Sequence, residues 1–328
     1  MIEHGREKET RSDLRGDERR ALEAIEEVIG APLARLAAVA WDSVGYVAVG
    51  GHVVALSLFG CNVESLPADV GSLRALESIN LRRNGLSSFP PCLSALGKLA
   101  TVSVERNRLH SFPDLSASAA TLKALFLAHN HVAELPETLG ALHSLEALDL
   151  DHNGLKELPE SVGGLTSLRH LNLGSKKVQT LADPDVYDVE PLRDYTFGEQ
   201  KPRFPFELQA MLYKQRFNRI SVLPPSIARL RNLRNLSAVA NGLRHLPEEI
   251  CEMPSLKELD LSYNSLRALP ERLGQNQPLE IVDVSRNQLR RIPRSLQDCP
   301  TLKRLQVKGN PLNGDGESAG VLLGARAD

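Results

Sequence analysis

The chain is poor in aromatic residues and cysteines, and those it has are not arranged for catalysis or cross-linking. Aromatic residues make up 4% of its 328 residues, and the four cysteines are Cys61, Cys92, Cys251 and Cys299. Because no two cysteines are spaced as CxxC, we expect no disulfide framework. A GxxxxGK[ST] phosphate loop, a GxSxG elbow and an HExxH helix are also missing, so we predict no catalytic residues, no enzyme activity and no cofactor.

Neither sign of charge predominates, and long apolar runs are lacking. Lys and Arg total 39 and Asp and Glu total 41, which gives a formal net charge of −2. Without a basic surplus to neutralise phosphates, a nucleic-acid partner is not expected. The charged N-terminus has no signal-peptide core, and no later stretch reaches the roughly 18 apolar residues of a membrane helix. We therefore expect cytoplasmic localisation and no membrane association.

What the chain does contain is a 23-residue repeat with the frame LxxLxLxxNxLxxLP. The copy that begins at Leu145 is typical, with Leu148 and Leu150 in the LxL unit. Two such leucines point to one face of a short strand, and the residue between them points to the other. One copy cannot bury its leucine face alone, so successive copies must stack into one parallel sheet. Copies begin at residues 53, 76, 99, 122, 145, 168, 210, 233, 256, 279 and 302.

The ninth frame position, where the chain turns after the strand, is usually asparagine. An amide side chain has donors and an acceptor, so stacked asparagines can satisfy backbone groups that would otherwise be buried unpaired. Cys61 takes this position in the first copy, and Lys176 takes it in the copy that begins at Leu168. An ammonium group has no acceptor, so the turn at Lys176 must differ. The ladder comprises Asn84, Asn107, Asn130, Asn153, Asn218, Asn241, Asn264, Asn287 and Asn310.

These residues resemble the leucine-rich repeat family, in its 23-residue, LP-containing subclass, over about residues 53–312. Within that subclass the chain is most similar to intracellular scaffolds, the plant Ras-group-related proteins and their animal Ras-pathway relatives. The resemblance implies an α/β solenoid, a horseshoe with one curved parallel sheet of about 11 short strands. It also implies a protein partner bound on the inner sheet face, and we expect a monomer.

The segments that flank the repeats differ in composition. Residues 1–16 are charged and predicted to be disordered, and residues 314–328 are predicted to form a flexible tail. Residues 17–52 are predicted to form an amphipathic helix and a hairpin before the repeat domain at 53–313. Because the end of a solenoid exposes its core, we interpret this leader as a cap and not as a membrane-binding helix.

An insertion interrupts the repeat near its middle. Copies 168 and 210 begin 42 residues apart, 19 more than one repeat, so we place the insertion at 182–209. Aromatic residues beside acids are typical of a protruding recognition loop, although they would equally serve to pack the loop onto the solenoid. The candidate partner anchors in this segment are Tyr187, Tyr195, Phe197 and Phe204.

Further candidate partner-binding residues lie on the inner sheet face, at frame positions three, five, seven and eight. They form a basic section, then an acidic section with histidines, then a mixed one, which suits a protein ligand with patterned charge. In chain order they are Arg82, Arg83, Glu105, Arg106, Phe126, His129, Asp149, Asp151, His152, His170, Asp260, Tyr263, Asp283 and Arg286.

His129 and His152 share a frame position in consecutive copies, so we expect them on neighbouring strands about 5 Å apart. Asp149, Asp151 and His170 would lie near them, a set of side chains suited to zinc binding or pH sensing. Because straight ladders seldom give the convergence that coordination requires, we predict polar partner contacts and no metal site.

The sequence therefore predicts a non-enzymatic protein-interaction scaffold. Three alternatives remain open. They are a regulatory subunit of a signalling enzyme such as a GTPase or a phosphatase, a secreted effector, and an enzyme with a site at the insertion.

Overall fold

A single sheet of 11 strands runs through the computed structural model, which describes residues 11–40, 42–174 and 217–313. The predicted solenoid is confirmed, and the strands follow one another in the sheet in chain order. The strands are β1 (Val44–Val49), β2 (His52–Leu58), β3 (Ser78–Asn80), β4 (Thr101–Ser103), β5 (Ala124–Phe126), β6 (Ala147–Asp149), β7 (His170–Asn172), β8 (Asn235–Ser237), β9 (Glu258–Asp260), β10 (Ile281–Asp283) and β11 (Arg304–Gln306).

Helical structure is short outside the N-terminal cap. The α-helices are α1 (Gly16–Ile29), α2 (Pro91–Ser94) and α3 (Arg294–Gln297). The 3-10 turns are Arg11–Asp13, Ala68–Ser72, Ser116–Ser118, Glu137–Ala141, Glu160–Gly164, Pro225–Arg229 and Glu248–Glu252. Most of these turns directly follow the LP pair, because proline holds the extended backbone from which the turn begins.

The strand leucines form the core, as the frame predicts. Leu148 and Leu150 of one coil, and Leu259 and Leu261 of another, are each at most 1% exposed. Neighbouring strands pair in register, so that Leu148 lies opposite Leu171 on the next strand. Strands β2 to β11 are parallel, whereas β1 pairs antiparallel with β2 as a hairpin.

Helix α1 covers the first coil through a buried apolar stripe that includes Leu22 and Ile25. The Glu18 carboxylate fixes it to the hairpin, since Glu18 accepts the Val53 N–H at 2.7 Å and lies 2.8 Å from His52 Nδ1. The prediction of disorder for residues 1–16 is wrong for its last six residues. Arg11 forms an ion pair with Glu26 at 2.8 Å, which holds the turn before α1 against the helix.

The asparagine ladder joins each coil to the one before it. In a typical case, Asn130 Oδ1 accepts the Leu109 N–H at 2.9 Å, and Asn130 Nδ2 donates to the carbonyls of Val104 and Leu127. Asn107, Asn153, Asn264 and their equivalents repeat this geometry. The side chain therefore satisfies backbone groups of two coils at once, as its donors and acceptor allow.

The register predicted around the insertion is wrong. Strand β7 pairs directly with β8, which leaves no place between them for a coil that begins at Ala210. Asn218 Nδ2 donates to the carbonyls of Leu150 and Leu173, so Asn218 is the ladder asparagine of the coil that begins at Leu168. The eleventh strand comes from the hairpin and not from a repeat at Ala210.

One coil is thus divided between two stretches of sequence. It begins at Leu168 and runs to Gly174, and it resumes at Phe217 with the 42 residues of 175–216 in between. Without those residues the frame reads Leu168, Leu171, Leu173, Asn218, Ile220, Leu223 and Pro224 with regular 23-residue spacing. The predicted insertion bounds 182–209 are therefore too narrow, because Lys176 was assigned to a ladder position that Asn218 occupies. The segment 175–216 and the tail at 314–328 lie outside the described residues.

Candidate functional site

The inner sheet face, opposite the leucine core, is less open than the sequence predicts. Strands about 4.8 Å apart bring polar side chains of adjacent coils into mutual contact, so they shield one another from water. Among the predicted site residues, the exposed ones are Arg83, Arg106 and Arg286, and the half-buried ones are His129, Asp260 and Tyr263. The buried ones are Arg82, Glu105, Phe126, Asp149, Asp151, His152, His170 and Asp283. The anchors Tyr187, Tyr195, Phe197 and Phe204 lie outside the described residues.

A buried ion pair occupies the basic section. Arg82 Nε lies 2.9 Å from Glu105 Oε2, and both side chains are less than a tenth exposed. Ser103 Oγ donates to the same carboxylate oxygen at 2.8 Å. This arginine is therefore committed to a neighbouring coil, and the exposed positive charge of the section comes from Arg83 and Arg106.

Asp149 lies at the centre of the acidic section. Its Oδ1 accepts hydrogen bonds from the Asp151 N–H and from Asn172 Nδ2, each at 3.0 Å. Burial raises the pKa of the Asp149 carboxyl well above its usual range, and the nearby carboxylates of Asp151 and Glu105 raise this pKa further.

Two histidines and a carboxylate meet beside Asp149. The rings of His129 and His152 lie 4.3 Å apart between centroids, and His152 Nδ1 is 2.7 Å from Asp151 Oδ1. The ring of Phe217 also packs against His152, with 4.4 Å between the ring centroids. The side chains that the sequence placed on neighbouring coils are thus in direct contact.

His170, on the same face, stays neutral near pH 7. Burial lowers its pKa to about 4, and the positive charges of Arg234 and Arg169 act in the same direction. The neighbouring Asn235 side chain opposes this shift in pKa. His170 is therefore an uncharged and buried polar group on this face.

A row of residues with left-handed backbone follows the strands at frame position eight, and we call it the edge row. Its non-glycine members have φ between 51° and 58° and are Arg83, Arg106, His129, His152, Ala240, Tyr263 and Arg286. Left-handed backbone costs a non-glycine residue about 1–2 kcal/mol. Hydrogen bonds to the next coil hold it, as when the Arg106 N–H donates to the Ala128 carbonyl at 2.9 Å.

No residue type in the sequence clearly indicated this backbone conformation. Glycine, which is the usual marker of positive φ, takes the equivalent position only at Gly60 and Gly309 among the described coils. The available signal was the fixed distance from the ladder asparagine, which places position eight at the tightest point of the turn.

Cationic side chains of the edge row lie over aromatic rings. The Arg286 guanidinium is 4.9 Å from the centroid of the Tyr263 ring, and that of Arg83 is 5.6 Å from the Phe59 ring. Such contacts orient a charged side chain while leaving it accessible to a ligand. Within residues 11–40, 42–174 and 217–313, no helix has the length and apolar character needed to cross a membrane.

Comparison with known proteins agrees with this architecture. A leucine-rich repeat region model matches residues 115–211, and a second leucine-rich repeat model matches residues 254–312. No curated protein sequence matches the chain.

Several solved structures are similar to the chain. The ectodomain of the Arabidopsis thaliana receptor kinase GASSHO1/SCHENGEN3, in complex with Casparian strip integrity factor 2, is 28% identical with a TM-score of 0.59. The match covers 79% of this chain and 27% of that one, so the chain spans about a quarter of the receptor ectodomain.

Two other plant receptors are also similar. The peptide hormone receptor RGFR1 in complex with RGF2 is 25% identical, with a TM-score of 0.50 over 75% of this chain and 38% of that one. The Arabidopsis HAESA ectodomain is 22% identical, with a TM-score of 0.56 over 90% and 47%, and supports the fold alone. With repeat models matched on both sides of the divided coil and one sheet running through it, the chain folds as a leucine-rich repeat solenoid.

Proposed function

We propose that this chain is a non-enzymatic scaffold that binds a protein or peptide partner along the edge row. The observation that carries the proposal is the distribution of exposure on the inner face. Its central side chains are buried against one another, whereas Arg83, Arg106 and Arg286 remain exposed on a hydrogen-bonded backbone. A surface held in this way loses little conformational entropy when a partner binds.

The charge of the edge row indicates the chemistry of the partner. Arg83 and Arg106 lie on adjacent coils and are both exposed, so they favour a ligand segment with carboxylates at matching spacing. The GASSHO1/SCHENGEN3 ectodomain was solved in complex with Casparian strip integrity factor 2, and the peptide hormone receptor RGFR1 was solved in complex with RGF2. That likeness supports a peptide or an extended protein segment as the ligand.

We further propose that the chain is an intracellular scaffold similar to the Ras-linked proteins. In this setting it would bind a signalling protein as a cytoplasmic monomer. That setting stays a prediction, and the similar plant structures include receptor ectodomains.

Reversing the charge of the edge row tests the proposed function. Ligands are selected from a random-sequence peptide display library on the intact chain and then titrated against the Arg83→Glu/Arg106→Glu variant. We expect the selected peptides to be acidic and to lose affinity by about tenfold or more, because two guanidinium contacts become repulsive. Thermal melting should be nearly unchanged, since both side chains are exposed.

The matched control is Arg108→Glu/Arg290→Glu, which makes the same charge change at exposed arginines outside the edge row. This variant should retain affinity within about twofold once salt screens long-range attraction. Equal losses in both variants would indicate non-specific attraction to positive charge, and unchanged binding in the first would remove the edge row from the site.

A further inference from the structure

Three metal-ligating side chains converge on the inner face, just after strands β5 and β6. One ligand atom from each of His129, Asp151 and His152 lies within 4.8 Å of the others. Tetrahedral coordination by nitrogen and oxygen separates ligand atoms by about 3.3 Å, so the longest of these distances would have to close by roughly 1.5 Å. This closure requires rotation of the side chains. The convergence that a straight ladder seldom gives is present here because both histidines occupy the edge row.

The backbone that carries these ligands is already fixed. The His129 N–H donates to the Asp151 carbonyl at 2.9 Å, and the Asp151 N–H donates to Asp149 Oδ1 at 3.0 Å. Phe217 packs against the His152 ring and restricts its orientation. A site whose ligands are held by supporting contacts binds a metal with less reorganisation.

Carboxyl side chains lie close to this group of ligands. Three buried carboxyl side chains, Glu105, Asp149 and Asp151, lie on adjacent coils, and Arg82 pairs with Glu105. Asp151 belongs to this set of carboxyl side chains and also contacts His152. A divalent cation bound there would offset the repulsion between the carboxylates.

We propose that His129, Asp151 and His152 form a mononuclear site for a divalent transition metal. Two imidazole nitrogens and one carboxylate oxygen favour Zn²⁺ and its neighbours Co²⁺ and Ni²⁺ over Mg²⁺ or Ca²⁺, which prefer oxygen ligands alone. Three protein ligands leave a fourth position for water or for an acidic group of a bound ligand. His129 is half-buried, so the metal reaches the site from the solvent side of the edge row.

Titration of the tag-free full chain with Co²⁺ tests this site. We expect visible absorption bands that saturate at one equivalent and that one equivalent of Zn²⁺ removes, together with a rise in melting temperature on Zn²⁺ addition. His129→Asn should weaken Co²⁺ binding by about tenfold or more and abolish the thermal shift. Asparagine is chosen because it tolerates positive φ, so this variant keeps the backbone that the turn requires.

The chain offers a matched control in a second histidine pair. The rings of His110 and His131 also lie close together on neighbouring coils, 5.3 Å apart between centroids, but they are not part of the three-ligand group. His110→Asn/His131→Asn should leave Co²⁺ affinity and the absorption bands unchanged.

Two results would overturn the proposal. One is the absence of saturable Co²⁺ binding to the intact chain. The other is binding that survives in both His129→Asn and Asp151→Asn, or that disappears in the His110/His131 variant, since either outcome places the metal elsewhere.

Discussion

Replacing Asn130 with alanine should lower the free energy of unfolding by about 3–5 kcal/mol, because it leaves several buried backbone groups without partners. The Asn130 side chain is fully buried. Its Oδ1 accepts the Leu109 N–H, and its Nδ2 donates to the Val104 and Leu127 carbonyls, all at 2.9 Å. Alanine can make none of these bonds.

The measurement is urea unfolding followed by circular dichroism, with Asn276→Ala as the control. Asn276 is exposed, and its replacement should change stability by less than about 0.5 kcal/mol. A loss below about 1 kcal/mol for Asn130→Ala would mean that leucine packing alone holds the coils together, in contradiction to the ladder's role.

Replacing Arg82 with alanine should destabilise the chain by about 3–5 kcal/mol, because it leaves a buried carboxylate without its cation. Glu105 is 6% exposed, and Arg82 Nε lies 2.9 Å from its Oε2. The hydrogen bond from Ser103 Oγ remains in the variant but carries no full positive charge. Glu105 would then face the buried carboxyl of Asp149 without compensation.

The double variant Arg82→Met/Glu105→Leu tests whether the unpaired carboxylate causes the loss. It removes both charges while keeping apolar bulk, so we expect it to recover stability to within about 1–2 kcal/mol of the original chain. Arg108→Ala, at an exposed arginine, serves as the control in the same urea series. If the double variant is as unstable as Arg82→Ala, an unpaired buried carboxylate does not explain the loss.

The repeat frame was sufficient to predict the core and the sheet. A leucine at position four or six has only one face available in a strand, so Leu148, Leu150, Leu259 and Leu261 could be assigned to the interior before any coordinates. The ladder asparagines were equally predictable, since a fixed spacing places each amide beside the same backbone groups.

The divided coil was not predictable from local spacing. Lys176 falls at the expected distance after Leu168, whereas the asparagine that fills the ladder position, Asn218, is 42 residues farther along. Local periodicity does not distinguish an insertion inside a coil from one between coils. Asn218 is identified as the ladder asparagine by its hydrogen bonds, because its Nδ2 donates to the carbonyls of both Leu150 and Leu173.

The exposure of the inner face was also mispredicted. Strand alternation assigns Glu105 and Asp151 to the face opposite the core, and that assignment holds. Alternation carries no information on whether side chains from adjacent coils cover one another, and here they do. The acidic and histidine residues form a packed polar layer, which is why the exposed arginines of the edge row carry the proposed partner contacts.

Residues 168–174 and 217–232 form one coil of a continuous solenoid. Deletion of residues 175–216, which joins Gly174 to Phe217, tests this assignment through hydrogen exchange at the Leu155 amide. This N–H donates to Asn218 Oδ1 at 3.0 Å, across the divided coil. We expect the Leu155 amide to stay as protected in the shortened chain as in the full one. Rapid exchange at Leu155, in a chain whose Leu109 amide remains protected by Asn130, would contradict it.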